Sequence, residues 1–271
     1  MQNNRIRSSS RIVINSTAYF ILAYLVIYFL QQLTTALVAL HFDINTAIHI
    51  NYIDFLIRSD RWTFDSVKVI YSVSVVFSLI ISIICLIIYI RTIQFDGLLR
   101  LFFLWGFIHS INNFIGGILV GALSGEGPGY VLSYVYMSDT AKLFIALLGI
   151  FSLLGIGSFM VKPMLFSANS YYNEQQPGIR LRFIANQFYL PFLLGNIILI
   201  VTRFPMKGYE LMLISSSVLL LLPIYFRASS YPEFYFDENK KEINVSWRIV
   251  LVTLLVLIWM RIGLQYGLRI S

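Results

Sequence analysis

Hydrophobic positions in this chain come in long unbroken blocks, without the three-to-four-residue spacing of an amphipathic helix. The first block covers 17–40, and others follow at 66–90, 98–123, 141–161, 183–201, 209–226 and 249–268. Each is close to the ~20 residues with which an α-helix crosses the hydrocarbon of a bilayer. The pattern predicts an all-α fold, a polytopic transmembrane helical bundle of about seven spans, built as a single transmembrane domain over 1–271. The spans at 183–201 and 209–226 each carry a proline, Pro191 and Pro223, and a turn with Pro205 and Gly208 separates them.

Two connecting segments have a pattern of their own. Residues 41–65 are long enough for an interfacial helix with Ile50, Ile53, Leu56 and Ile57 on one side and Trp62 as its anchor. Residues 233–245 alternate around Asp237-Glu-Asn-Lys240, which predicts a small cytoplasmic β-hairpin leaning on another loop or on a partner.

Composition agrees with the block pattern. The chain is 58% hydrophobic and only 12% charged, whereas a soluble domain carries ~25% charged residues to solvate its surface. Lipid is therefore the expected solvent for most of the surface. The net charge of +7 comes from Lys and Arg at span ends rather than from a basic stripe, so no nucleic-acid partner is expected. One set of alternate loops holds Arg5, Arg7, Arg11, Arg91, Arg100, Lys162, Arg180, Arg182, Arg227, Lys240, Lys241 and Arg248. The other holds Arg58, Arg61, Lys68, Lys142, Arg203 and Lys207. That imbalance predicts a cytoplasmic N-terminus and an exterior C-terminus, in a membrane such as the bacterial inner membrane. The first block is too long for the ~7–15 residue core of a signal peptide, and no A-x-A site follows it, so it reads as an uncleaved helix. The one cysteine, Cys85, lies in an apolar run. It excludes an intramolecular disulfide or a cysteine-held metal cluster and reads as inert packing.

Polar groups at membrane depth are costly, which makes them the candidates for function. The third block reads Trp105-Gly-Phe-Ile-His109-Ser-Ile-Asn112-Asn113-Phe-Ile-Gly116-Gly117, with Gly121 one turn on. His109 and Asn113 share a helix face at i, i+4, with Asn112 alongside. Gly116, Gly117 and Gly121 are small positions that let another backbone approach. The fifth block repeats the theme with Asn186, Pro191 and Asn196. Asn186, Tyr189, Leu193 and Asn196 are expected near one face, and Pro191 frees a carbonyl and kinks the helix. Gln31, Gln32, Thr34 and Thr35 lie near the exterior half of the first block, and Arg261 is expected to snorkel. Every Asp and Glu falls in a loop or at a span end, so the polar centre reads as amide-rich and carboxylate-free. The glycine-rich stretch 121–129 reads as a flexible or re-entrant turn.

The arrangement around His109 resembles the core of site-2-type intramembrane metalloproteases. That family carries H-E-x-x-H in one membrane helix and N-x-x-P-x-x-x-x-D two helices later. Here His109-Ser-Ile-Asn-Asn113 occupies the first place, and Pro191 with Asn196 the second. Ser110 stands where the general-base Glu belongs, Asn113 replaces the second His, and Asn196 replaces the Asp ligand. Asn186 precedes Pro191 by five residues rather than three. Neutral amides are poor zinc ligands, so the resemblance implies a protease-like scaffold without activity, cofactor or metal.

The leading expectation is a non-enzymatic accessory, assembly or scaffold subunit in the lipid bilayer. It would have a polar core on the third and fifth spans and meet a protein partner through its cytoplasmic loops. A small-solute transporter or channel using His109, Asn112, Asn113, Asn186 and Asn196 is the alternative, and an inactive protease relative the third.

Overall fold

The computed structural model describes residues 2–92, 97–175, 177–236 and 243–271. The turn expected at 237–240 lies outside the described residues, as does Lys241 of the charge count.

Helix α1 (Gln2–His41) leads through strands β1 (Thr46–Ile48) and β2 (Ile53–Phe55) into α2 (Phe64–Arg91). Helix α3 (Leu99–Ile111) continues through a π-helical turn at Asn112–Gly116 into α4 (Gly117–Ser124). A short α5 (Gly129–Tyr134) precedes the long α6 (Asp139–Phe166). Strand β3 (Glu174–Gln175) and α7 (Pro177–Ile184) pass through a second π-helical turn, Ala185–Tyr189, into α8 (Leu190–Thr202). Next come α9 (Gly208–Ser216), α10 (Val218–Arg227) and β4 (Phe234–Tyr235). Helix α11 (Trp247–Gly263) and strand β5 (Leu268–Ile270) end the chain.

Among the described residues, six helical stretches are long and apolar enough to cross a membrane: Ser9–His41, Phe64–Arg91, Leu99–Ser124, Asp139–Ser170, Gly178–Thr202 and Gly208–Ser230. The molecule is an all-α bundle with small strand pieces, and an integral membrane protein by the length and composition of those helices. The predicted block at 249–268 forms α11, which stops at Gly263 after 17 residues, a rise of ~26 Å. Gly267 then turns the chain with φ +79°, and Leu268–Ile270 joins a sheet instead of extending the helix. Helix α11 packs alongside α1. At one end Asn15 Oδ1 accepts from Ser246 N–H at 2.8 Å, and at the other β5 pairs antiparallel with β1, just past the end of α1.

Residues 41–65 do not form the expected interfacial helix. Their middle is a β-hairpin, with Thr46 opposite Phe55 and Ile48 opposite Ile53, and β5 completes a three-stranded sheet in the order β2-β1-β5. The strand-favouring Thr, Ile and Phe positions gain ladder partners on both sides of β1, which a lone interfacial helix would lack. A small apolar cluster of Ala39, Ile44 and Ile70, with Phe55 and Trp62 against it, seats the hairpin on the ends of α1 and α2. At the opposite end of the bundle β4, the first arm of the predicted 233–245 hairpin, pairs with β3.

Burial differs from span to span. The apolar windows of the first and third spans are 61% and 67% buried, against 28–39% for the other four. The third span brings Gly106, Gly116, Gly117 and Gly121 against its neighbours. A methyl group on Gly106 would meet Cys85 Sγ at 2.9 Å, so that thiol packs helix to helix. The outer helices instead expose large apolar side chains such as Ile83, Phe151, Ile197 and Leu255. Lipid solvates such faces; water would not.

Candidate functional site

The central helices enclose a cavity of about 470 Å³, within the ~300–1,000 Å³ of small-molecule sites. Its rim is at the hairpin end, where Asp54, Glu126, Tyr130 and Lys207 are solvent-exposed. Its floor is closed by Phe20, Asn112 and Asn196, which are all buried. The space therefore opens at the hairpin end.

The floor is built around α1 and α3. His109 Nε2 lies 3.1 Å from the Phe20 carbonyl oxygen, so that nitrogen carries the proton and donates. The Phe20 ring is held edge-on to His109 at 4.5 Å and to Trp105 at 4.8 Å between centroids. One turn on, Asn112 Nδ2 donates to the Leu213 carbonyl at 2.7 Å, and Asn112 Oδ1 accepts from Ser216 Oγ at 3.0 Å. These bonds bolt the π-helical turn to α9. π-Helical turns are enriched at functional sites because the inserted residue re-aims its neighbours. Asn113 Nδ2 donates to Gln31 Oε1 at 3.2 Å. The glycines serve the same close approach: Gly116 faces Ser216, Gly117 faces Tyr209, and Gly121 faces the backbone of Gly129 on the returning chain.

Of the residues singled out in the sequence, His109, Asn112, Asn113 and Asn196 share this cavity, and Asn186 does not line it. The shared face expected for Asn186 and Asn196 is lost because Ala185–Tyr189 is a π-helical turn. One extra residue there rotates the preceding side chains by ~100° relative to α8. Pro191 follows that turn directly. It has no N–H to give the Gln187 carbonyl four residues back, and Ser16 Oγ donates to that oxygen instead at 2.6 Å. The same hydroxyl accepts from Trp105 Nε1 at 2.9 Å, so the proline break becomes a joint between α1, α3 and α8.

The walls also correct the expectation of a carboxylate-free centre, because Asp54, Glu126 and Glu210 line the same cavity. Glu210 is paired: Arg203 Nη2 lies 2.6 Å from Glu210 Oε2. Arg203, read from sequence as an exterior loop charge, is fully buried. It donates through Nε to the Ile50 carbonyl at 3.0 Å and through Nη1 to the Tyr24 hydroxyl, and its guanidinium sits 4.0 Å above the Tyr28 ring. Burial works against its charge, but Tyr24, Tyr28 and Glu210 outweigh it and hold its pKa above the ordinary arginine value. No family model, curated protein or solved structure matches the chain. Among the described residues no three His, Cys, Asp or Glu side chains gather as a metal site would require. What the site offers is aromatic surface, neutral hydrogen-bonding groups and a rim of mixed charge. Sequence reasoning missed Glu210, Arg203 and the tyrosines 24, 28, 52, 71, 130 and 209; the only signal was that Tyr71, Tyr209 and Glu210 recur near the hairpin-end edges of their blocks, while Tyr24 and Tyr28 read as ordinary positions inside the first.

Arg261, expected to snorkel, is exposed, and its Nη1 donates to the Thr202 carbonyl at 3.0 Å at the end of α8.

Proposed function

We propose that this chain is a multi-pass membrane protein that admits a small polar solute from the exterior face, as a carrier or channel, with its N-terminus cytoplasmic. The observation that carries this reading is the cavity that opens at the hairpin end and reaches His109 and Asn196. A subunit whose polar residues only glued helices together would consume them in contacts and leave no such space. Positive charge at the other end of the bundle supports the orientation. Binding at mid-depth between central helices is also where carriers hold their solutes.

The test is the accessibility of Asn113→Cys in a Cys85→Ala background, probed with a membrane-impermeant thiol reagent. Labelling from the exterior alone, slowed by an applied solute, is the expected result. No labelling from either side would sink the reading. An accessory or scaffold role is the second reading, drawing on the β3–β4 ladder at the cytoplasmic end, where Tyr235 is exposed. It requires a protein that co-purifies in mild detergent and is lost when Tyr235 is changed to Asp.

A further inference from the structure

We infer that the solute is neutral and rich in hydroxyl groups, a polyol or a sugar rather than an organic cation or a carboxylate. The inference rests on the cavity being a solute site and follows from the hydrogen-bonding capacity left unused at its floor. His109 spends Nε2–H on the Phe20 carbonyl, so its neutral ring presents Nδ1 as an acceptor. Asn113 spends Nδ2 on Gln31, and Oδ1 has no partner among the described residues. Asn196 lines the same floor, and its buried Nδ2 has no hydrogen-bond partner among the described residues. Two acceptors, the second N–H of Asn113 and the unpaired amide N–H groups of Asn196, all uncharged, are matched by groups that both give and take a hydrogen bond. A hydroxyl does both; a quaternary ammonium does neither, and a carboxylate only accepts.

Charge argues the same way. The partly buried carboxylate of the walls, Glu210, is neutralised by Arg203. Asp54, Glu126 and Lys207 are exposed at the rim, where water solvates them. An ion brought to the floor would meet no unpaired opposite charge to offset its desolvation. Aromatic surface supplies the remaining contact: Tyr71 and Tyr130 line the wall, with ring centroids 4.9 Å apart. Such rings cover the apolar C–H faces of a sugar while amides take its hydroxyls.

The experiment is calorimetric titration of the full chain, purified in detergent, with glycerol, glucose, N-acetylglucosamine, sucrose, choline and succinate. Saturable binding of at least one of the first four is expected, weakened tenfold or more by Asn113→Leu and by His109→Phe and unchanged by Tyr266→Ala. The ranking of probes on the unaltered protein is the primary reading, so a variant that fails to fold does not decide it. Binding confined to choline or succinate overturns the ligand class and leaves the solute cavity standing. Binding of none of the six, with Asn113→Cys still labelled from the exterior, also overturns the class. Binding of none with no labelling overturns the cavity reading itself.

Discussion

Arg203 and Glu210 meet at 2.6 Å across the turn between α8 and α9, with side chains 1% and 15% exposed. The same guanidinium holds the Ile50 carbonyl and the Tyr24 hydroxyl. One buried cation therefore ties the hairpin, α1, α8 and α9 together beside the mouth of the cavity. Removing one partner strands the other charge in a low-dielectric setting, which costs about 3–5 kcal/mol. Arg203→Leu should lower the midpoint of thermal unfolding in detergent well beyond Arg261→Leu, whose guanidinium is exposed. The double variant Arg203→Leu/Glu210→Leu should recover part of the loss. If the double variant is no more stable than the single one, the pair is not coupled as described.

Gly195 gives a second outcome. A methyl group there would overlap the Phe20 ring, which is already wedged against Trp105, His109 and Phe192. Overpacking of this kind costs about 1–3 kcal/mol. Gly195→Ala should destabilise the protein and narrow the cavity floor. Phe20→Leu, which removes the ring edge, should offset much of that loss in the double variant. Equal melting temperatures for Gly195→Ala and the unaltered protein would show that the ring has room to move.

The spans were legible because lipid imposes a length and a composition on every helix that crosses it, and no other fold needs blocks such as 66–90. His109, Asn113 and Asn196 were legible for the same reason, since a polar group at that depth stands out against its block. Glu210 and Arg203 were not. At a block edge a charge reads as a solvated anchor, and only the path of the Ile50 hairpin over that edge buries it. The hairpin itself was hidden because three-residue strands carry almost no periodicity and β1 takes its second partner from the far end of the chain. The π-helical turn at Ala185–Tyr189 leaves no mark in composition, so the faces of Asn186 and Asn196 could not be phased by counting.

Ser16 makes a third case. Its hydroxyl accepts from Trp105 Nε1 and donates to the Gln187 carbonyl that Pro191 leaves free. Ser16→Ala leaves both groups buried without a partner, at a cost of about 1–3 kcal/mol each. A drop in thermal stability and a changed tryptophan emission are expected. Adding Trp105→Phe to Ser16→Ala should add less than its effect alone, because one of the two orphaned groups is already gone. Strict additivity of the two losses would mean that the serine and the indole do not act together.

Arg180 anchors the other end of the bundle without a carboxylate in ion-pair range among the described residues. Its Nη1 donates to the Ala228 and Tyr231 carbonyls at 2.8 and 2.7 Å, and its Nη2 to the Pro232 carbonyl at 2.8 Å. These oxygens follow the C-terminus of α10, where the helix leaves carbonyls unsatisfied and the dipole favours a cation. The planar fork reaches three acceptors from one fully buried position, which a lysine ammonium on a single-headed stem does not reproduce. Arg180→Lys should therefore be nearly as damaging as Arg180→Met, each by several kcal/mol, since hydrogen bonds to a charged donor are worth about 1.5–3 kcal/mol apiece. Limited proteolysis gives a local readout beside the melting temperature, because the chain around Tyr231 should become a preferred cleavage site in both variants. Full rescue by Lys, with Tyr231 still protected, would mean that charge alone and not the three-carbonyl geometry holds this end closed.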